Sequence, residues 1–95
     1  SRLRVPALVE IGDWERAYGE FAGLYRNRIE GDTAIVAAFR NFLRGATFNT
    51  WSRGDAEAAE LWHRRLRASF PSWTMSLEET AQDFARQTET STSPQ

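Results

Sequence analysis

Apolar side chains recur every three or four residues through the first third of the chain. This spacing is that of an amphipathic helix, and it is carried by Trp14, Ala17, Tyr18, Phe21, Ala22, Leu24, Tyr25 and Ile29. Asp13 can accept from the free N–H groups at a helix N-terminus, and Gly31 suits the left-handed position that closes a helix. We therefore predict a first helix over about residues 14–29.

A second apolar stripe follows Asp32, another candidate cap. Its members are Ile35, Val36, Phe39, Phe42, Leu43 and Ala46. Gly45 and the stretch 47–54 weaken the helical pattern, because Gly and Thr are poor helix formers. The sequence therefore predicts a second helix that weakens from Gly45 onward, followed by a connection that contains Trp51.

Two further helices are marked by their ends. Asp55 precedes a strongly helix-forming run, and Pro71 ends that helix near residue 69 or 70. The residues expected to point inward are Ala59, Trp62, Leu66 and Phe70. Ser76 and Glu79 match a capping box, in which each side chain bonds the backbone N–H of the other. A fourth helix over about 77–88 follows, with its inward side formed by Leu77, Thr80, Ala81, Phe84 and Thr88.

The two ends of the chain differ from its middle. Residues 88–95 hold five Ser or Thr residues and no apolar one, so we expect a flexible tail or linker there. Residues 1–11 fit a strand or a short helix, and we expect this arm to pack on the rest. The predicted fold is all-α, a compact bundle of four or five short helices over residues 1–87 with a disordered C-terminal tail.

The amino-acid composition excludes several classes of function. Without cysteine, and with one histidine, the chain has no disulfide, no thiolate chemistry and no sulfur-ligated metal site. A nucleophilic triad lacks support, and the glycines match no phosphate-binding loop, so we expect neither an enzyme nor a cofactor. No apolar run is long enough to cross a membrane, and no secretion signal is visible. The default compartment is the cytoplasm.

The charge balance disfavours broad electrostatic binding of nucleic acid, because twelve arginines are offset to a net charge of −1. A helix-turn-helix alternative remains, with phosphate contacts from Arg64, Arg65 and Arg67. Two observations oppose it. The start of the third helix is acidic, where recognition helices contact bases, and the turn before it looks longer than three or four residues.

A second alternative is a metal-binding bundle. Glu57, Glu60 and His63 follow at three-residue steps on the third helix, and a Glu-x-x-His unit can place both side chains on one metal ion. One chain supplies only one such unit, so the site would require a symmetric dimer. An ordinary solvated helix face explains the same residues without a metal.

Aromatic residues in predicted connections are the strongest candidates for binding. Trp51 and Trp73 lie there, and a surface of Phe48, Trp51 and Trp73 with Arg53 at its edge would suit a protein partner or self-association. The competing explanation is that both tryptophans close the ends of the core. Gly19 and Gly23, four residues apart, would let another helix approach closely, and we expect that helix to belong to the bundle.

The chain contains the segment Phe42-Leu43-Arg44-Gly45-Ala46, then Trp51, and then an aromatic-rich helix from Leu61 to Phe70. This combination resembles retrotransposon Gag capsid lobes. Those lobes carry a Leu-x-Gly-x-Ala stretch, a Trp and a similar helix. The similarity covers about thirty residues, and its spacing to Trp51 is looser than in the family. The resemblance implies a helical assembly domain and self-association. The exclusions above, the many aromatic residues and the trailing linker favour a non-catalytic protein–protein interaction or assembly module, which could be part of a larger protein.

Overall fold

The computed structural model describes residues 14–28 and 33–92. They form four helices, α1 (Trp14–Arg26), α2 (Thr33–Ser52), α3 (Ala56–Ser69) and α4 (Leu77–Thr92), with no strand among these residues. The predicted all-α class is confirmed. The arm of residues 1–11 and the caps Asp13, Gly31 and Asp32 lie outside the described residues.

Backbone contacts divide the chain into two units within α2, one ending at Phe42 and the other beginning at Leu43. In the first unit, aromatic rings join α1 to the first half of α2. Phe39 lies at the centre, with ring centroids 4.9 Å from Tyr25, 6.2 Å from Tyr18 and 6.3 Å from Phe21. Phe42 adds contacts to Phe21 and Trp14, both at 5.2 Å. The two predicted apolar stripes thus pack on each other.

Helix α1 ends at Arg26, three residues before its predicted end. The guanidinium of Arg28 donates to the carbonyl oxygen of Tyr25 at 2.6 Å and lies 4.3 Å from the centre of the Tyr25 ring. A cationic side chain can satisfy a terminal helix carbonyl in this way. The helix therefore ends on a side-chain contact that the periodicity alone does not reveal.

Helix α2 runs without a break through the stretch that the sequence pattern marked as weak. Thr47 and Thr50 are buried there, yet their hydroxyls donate to carbonyls of the same helix, at 2.8 Å to Leu43 and 2.9 Å to Ala46. These bonds satisfy polar groups that would otherwise be costly to bury. The expectation that Trp51 lies in a connection is therefore wrong, since it belongs to the last turn of α2.

The turn between α2 and α3 has three residues, 53–55, so the expectation of a longer turn is also wrong. Gly54 has φ +84°, its N–H donates to Trp51, and the N–H of Asp55 donates to Thr50. This pair of bonds is a Schellman motif, which ends helices with a left-handed residue. The Asp55 carboxylate then accepts from the N–H of Ala58 at 3.2 Å, confirming Asp55 as the cap of α3.

Gly54→Ala is expected to lower the free energy of unfolding by about 1 kcal/mol, because an L-residue is strained at this φ. Gly19→Ala is the matched control. Gly19 is an exposed helical residue with no described atom within 4 Å of an added Cβ, so alanine there should stabilise the chain by up to about 1 kcal/mol. Urea unfolding of both variants checks the signs, and a shift of both in the same direction would contradict the assignment.

The same open space surrounds Gly23. The expected close packing of another helix of the bundle on Gly19 and Gly23 is therefore absent among the described residues. The two glycines instead line an open groove on α1 beside Leu24, whose exposed fraction is 44%.

In the second unit, α3 and α4 bury mostly the residues that the sequence selected. Leu66, Thr80 and Ala81 are fully buried, whereas Thr88, which was expected to point inward, is exposed. The capping box is confirmed, with 2.9 Å from the Ser76 N–H to the Glu79 carboxylate and 3.1 Å for the reverse bond. Helix α4 continues to Thr92, four residues past its predicted end. Residues 93–95 of the predicted tail lie outside the described residues.

Candidate functional site

Partly buried aromatic side chains lie together where the end of α2 faces α4. The Phe48 ring centroid is 6.4 Å from that of Trp51 and 5.5 Å from that of Phe84. Each of the three side chains keeps part of its surface open to solvent. Phe48 and Trp51 are therefore neighbours, as the sequence predicted, and Phe84 extends the surface onto α4.

Arg44 links Trp73 to this group of aromatic side chains, because it lies near both Trp73 and Phe84. The guanidinium carbon of Arg44 is 5.3 Å from the Phe84 ring centre and 5.9 Å from the Trp73 ring centre. A cation at this distance is attracted to the face of an aromatic ring. We call the four side chains Phe48, Trp51, Trp73 and Phe84 the aromatic strip. Three of the four were candidates from sequence alone.

Arg44 is the residue that sequence reasoning missed. It is 8% exposed, and one of its guanidinium nitrogens lies 3.2 Å from the Asp83 carboxylate and 2.6 Å from the Gln87 amide oxygen. The available signal is an arginine within the apolar stripe of α2, together with Asp83 and Gln87 four residues apart on α4. This cluster joins α4 to α2.

Hydrogen bonds also hold Trp73 in place within the connection between α3 and α4. Its indole N–H donates to the hydroxyl of Thr80 at 2.9 Å, and its backbone N–H donates to Phe70 at 2.8 Å. The His63 Nε2 lies 2.9 Å from the carbonyl oxygen of Met75, which ties the same connection to α3. Trp73 is thus a fixed side chain in an ordered connection, partly open to solvent.

Arg53, expected at the edge of this surface, is exposed in the turn directly after α2. Its backbone N–H donates to Asn49 at 3.3 Å. The position is two residues from Trp51, at one end of the aromatic strip.

No family model matches the chain, and neither curated proteins nor solved structures give a significant match. The resemblance to Gag capsid lobes stays a hypothesis.

The three arginines proposed for phosphate contact do not act as one group. Arg65 is partly buried, and its guanidinium carbon lies 4.7 Å from the centre of the Trp62 ring. Arg64 and Arg67 are exposed on another part of α3, where they line a groove with His63. The structure therefore separates a structural arginine from two that are accessible.

A hydrogen bond of His63 leaves only one of its two ring nitrogens able to bind a metal ion. A carbonyl oxygen only accepts hydrogen bonds, so the His63 Nε2 must carry the proton in its contact with Met75. Only Nδ1 could then bind a metal ion. No group of three or more metal-ligating side chains occurs within the described ranges. A shared site across a dimer remains a prediction that these contacts do not test.

Across residues 14–28 and 33–92, no helix combines the length and the apolar character that crossing a membrane requires.

Proposed function

We propose that this chain is a non-catalytic helical module for protein–protein recognition, and that its contact surface is the aromatic strip with Arg53 at the edge. The observation that carries the proposal is the chain of contacts that links four partly exposed aromatic side chains of the second unit, with Arg44 between Phe84 and Trp73. Tryptophan, tyrosine and arginine dominate the binding energy of protein interfaces.

Arg44 supports the proposal because it holds side chains of the aromatic strip in position. A binding side chain that is already held in its bound position loses little conformational entropy on association. Phe84 and Trp73 contact the buried guanidinium of Arg44, and Trp73 is also fixed by Thr80. The strip is therefore suited to a partner that presents apolar side chains to a preformed surface.

A second copy of the chain is the first partner to test, because the resemblance to Gag capsid lobes implies self-association. Light-scattering mass during size-exclusion chromatography, over a range of concentrations, gives the dissociation constant. Trp51→Ala is expected to weaken association about 30-fold, since truncating a tryptophan that anchors an interface costs about 2 kcal/mol.

Leu24→Ala is the control, because Leu24 is exposed on the first unit, outside the strip. It should leave association unchanged, and both variants should keep the helical circular dichroism of the wild type. Equal weakening by Trp51→Ala and Leu24→Ala would contradict the proposed surface. A wild-type monomer at every concentration would contradict self-association and leave a different protein as the partner of the strip.

A nucleic-acid-binding role is the second candidate, because the turn of three residues before α3 fits a helix-turn-helix. Asp55, Glu57 and Glu60 are exposed at the start of α3, where acidic groups repel phosphates. Binding of a labelled duplex at low salt, weakening steeply as salt rises, tests this candidate. No binding at low salt would contradict it.

A further inference from the structure

A second surface lies apart from the aromatic strip, where the end of α3 meets the start of α4. It is an open groove of about 650 Å³. Its lining combines two cationic side chains, Arg64 and Arg67, with three apolar ones, Ala68, Pro71 and Leu77. Such a combination suits a ligand that carries both negative charge and apolar surface.

The charge of this groove is not neutralised from within. Arg64 and Arg67 are both exposed, and neither makes an ion pair with another described residue. The acid lining the groove is Glu60, so its fixed side-chain charge is positive, with two arginines against one carboxylate. A guanidinium pairs readily with a carboxylate through two parallel hydrogen bonds.

The wall of the groove is held in position. His63 lines it and bonds the carbonyl oxygen of Met75 at 2.9 Å, which attaches the connection carrying Pro71 to α3. The capping box of Ser76 and Glu79 fixes the first turn of α4, where Leu77 lies. A ligand would therefore meet a surface that is formed before it binds.

We propose that this groove binds an acidic segment of a partner protein. The carboxylates of this acidic segment pair with Arg64 and Arg67, and one of its apolar side chains contacts Pro71 and Leu77. The inference goes beyond the proposed function, because it concerns a different surface. A negative result for the groove would not contradict the function proposed for the aromatic strip.

The apolar part of the lining favours a peptide over a nucleic acid. A phosphate backbone gains nothing from Pro71 and Leu77, whereas an apolar side chain of a peptide can contact both. On α3, Glu57 is exposed, so a polyanion following this helix would meet negative charge. A short acidic peptide that contacts Arg64 and Arg67 need not extend as far as Glu57, which is not part of the groove.

The test uses the whole chain and a fluorescein-labelled peptide of glutamate and serine with one central leucine, followed by fluorescence anisotropy at low salt. Arg64→Gln combined with Arg67→Gln is expected to weaken binding about tenfold, because two exposed ion pairs together contribute roughly that factor. Glutamine keeps the helix propensity of arginine, and circular dichroism checks the fold.

The matched control is Arg16→Gln combined with Arg26→Gln, which removes the same charge from two exposed positions outside both the groove and the aromatic strip. It should change the affinity less than about twofold. A peptide with serine in place of leucine should bind at least about threefold more weakly, since the apolar contact is lost.

Three results would overturn the proposal: no binding of the leucine peptide, equal weakening by the two double variants, or equal affinity for the leucine and serine peptides. Displacement of the peptide by a lower concentration of oligothymidylate would also overturn it, in favour of a nucleic-acid site.

Discussion

Phe39→Ala is expected to lower the free energy of unfolding by about 3–5 kcal/mol, the range for truncating a buried phenylalanine. Phe39 is 1% exposed, and its ring contacts Tyr18, Phe21 and Tyr25. Alanine removes all three ring contacts and leaves a cavity that helices α1 and α2 cannot fill without moving.

Urea unfolding measures this loss when it is followed by the indole N–H resonance of Trp14, the one tryptophan of the first unit. Phe39→Leu is the control, because leucine keeps much of the buried apolar volume and should cost less than half as much. A loss below about 1 kcal/mol for Phe39→Ala would mean that Phe39 is not the centre of this core.

Arg44→Ala is the second large effect, with an expected loss of about 2–4 kcal/mol. Removing one partner of a buried ion pair is strongly destabilising, although Asp83 keeps a second, exposed partner in Arg86 at 3.3 Å. We place the value slightly below the usual range because the Asp83 side chain is 19% exposed, so water can solvate part of its charge. The variant also loses the contacts of the guanidinium with Trp73 and Phe84.

Two further variants separate charge from packing. Arg44→Met combined with Asp83→Leu should recover most of the loss, because an apolar pair of similar volume often replaces a buried ion pair without cost. Arg44→Lys should be intermediate, since an ammonium keeps the charge but lacks the planar guanidinium. Urea unfolding checks all three variants. If Arg44→Ala costs less than about 1 kcal/mol, the ion pair does not hold α4 against α2.

Local signals account for what the sequence predicted well. The apolar stripes of α1 and α2, the cap at Asp55 and the capping box at Ser76 each depend on residues within four positions of one another. The same holds for Gly54, whose left-handed φ could have been inferred from a glycine directly before the Asp55 cap. Recognising that pair would have given the three-residue turn.

Contacts across the sequence account for what it missed. Arg44 and Asp83 are 39 residues apart, and Arg44 and Gln87 are 43 apart, so no short window joins them. Thr47 and Thr50 lower the helix propensity of α2, but their buried hydroxyls bond its own carbonyls. Propensity scales describe isolated residues and omit this compensation. The helix therefore continues past Gly45 to Ser52, and Trp51 changes from a loop residue to a helical one.

The candidate site was predicted only in part, again because some of its contacts join residues that are far apart in the sequence. Phe48, Trp51 and Trp73 were selected because exposed aromatic residues in loops are common interface anchors, although Phe48 and Trp51 belong to α2. Their connection through Phe84 and Arg44 depends on how α4 packs on α2 in the second unit. That packing is a tertiary property, and helical periodicity only shows which side of each helix is apolar.

The tryptophans of this chain form a built-in optical reporter. Trp14 and Trp62 are 7% and 4% exposed, so water and small quenchers barely reach their indoles. Trp51 and Trp73, the two in the aromatic strip, remain partly accessible. A molecule that covers the strip will therefore shift the intrinsic emission to shorter wavelength and reduce quenching by acrylamide. Occupancy of the surface can be followed in the unlabelled protein, in any mixture whose other components lack tryptophan.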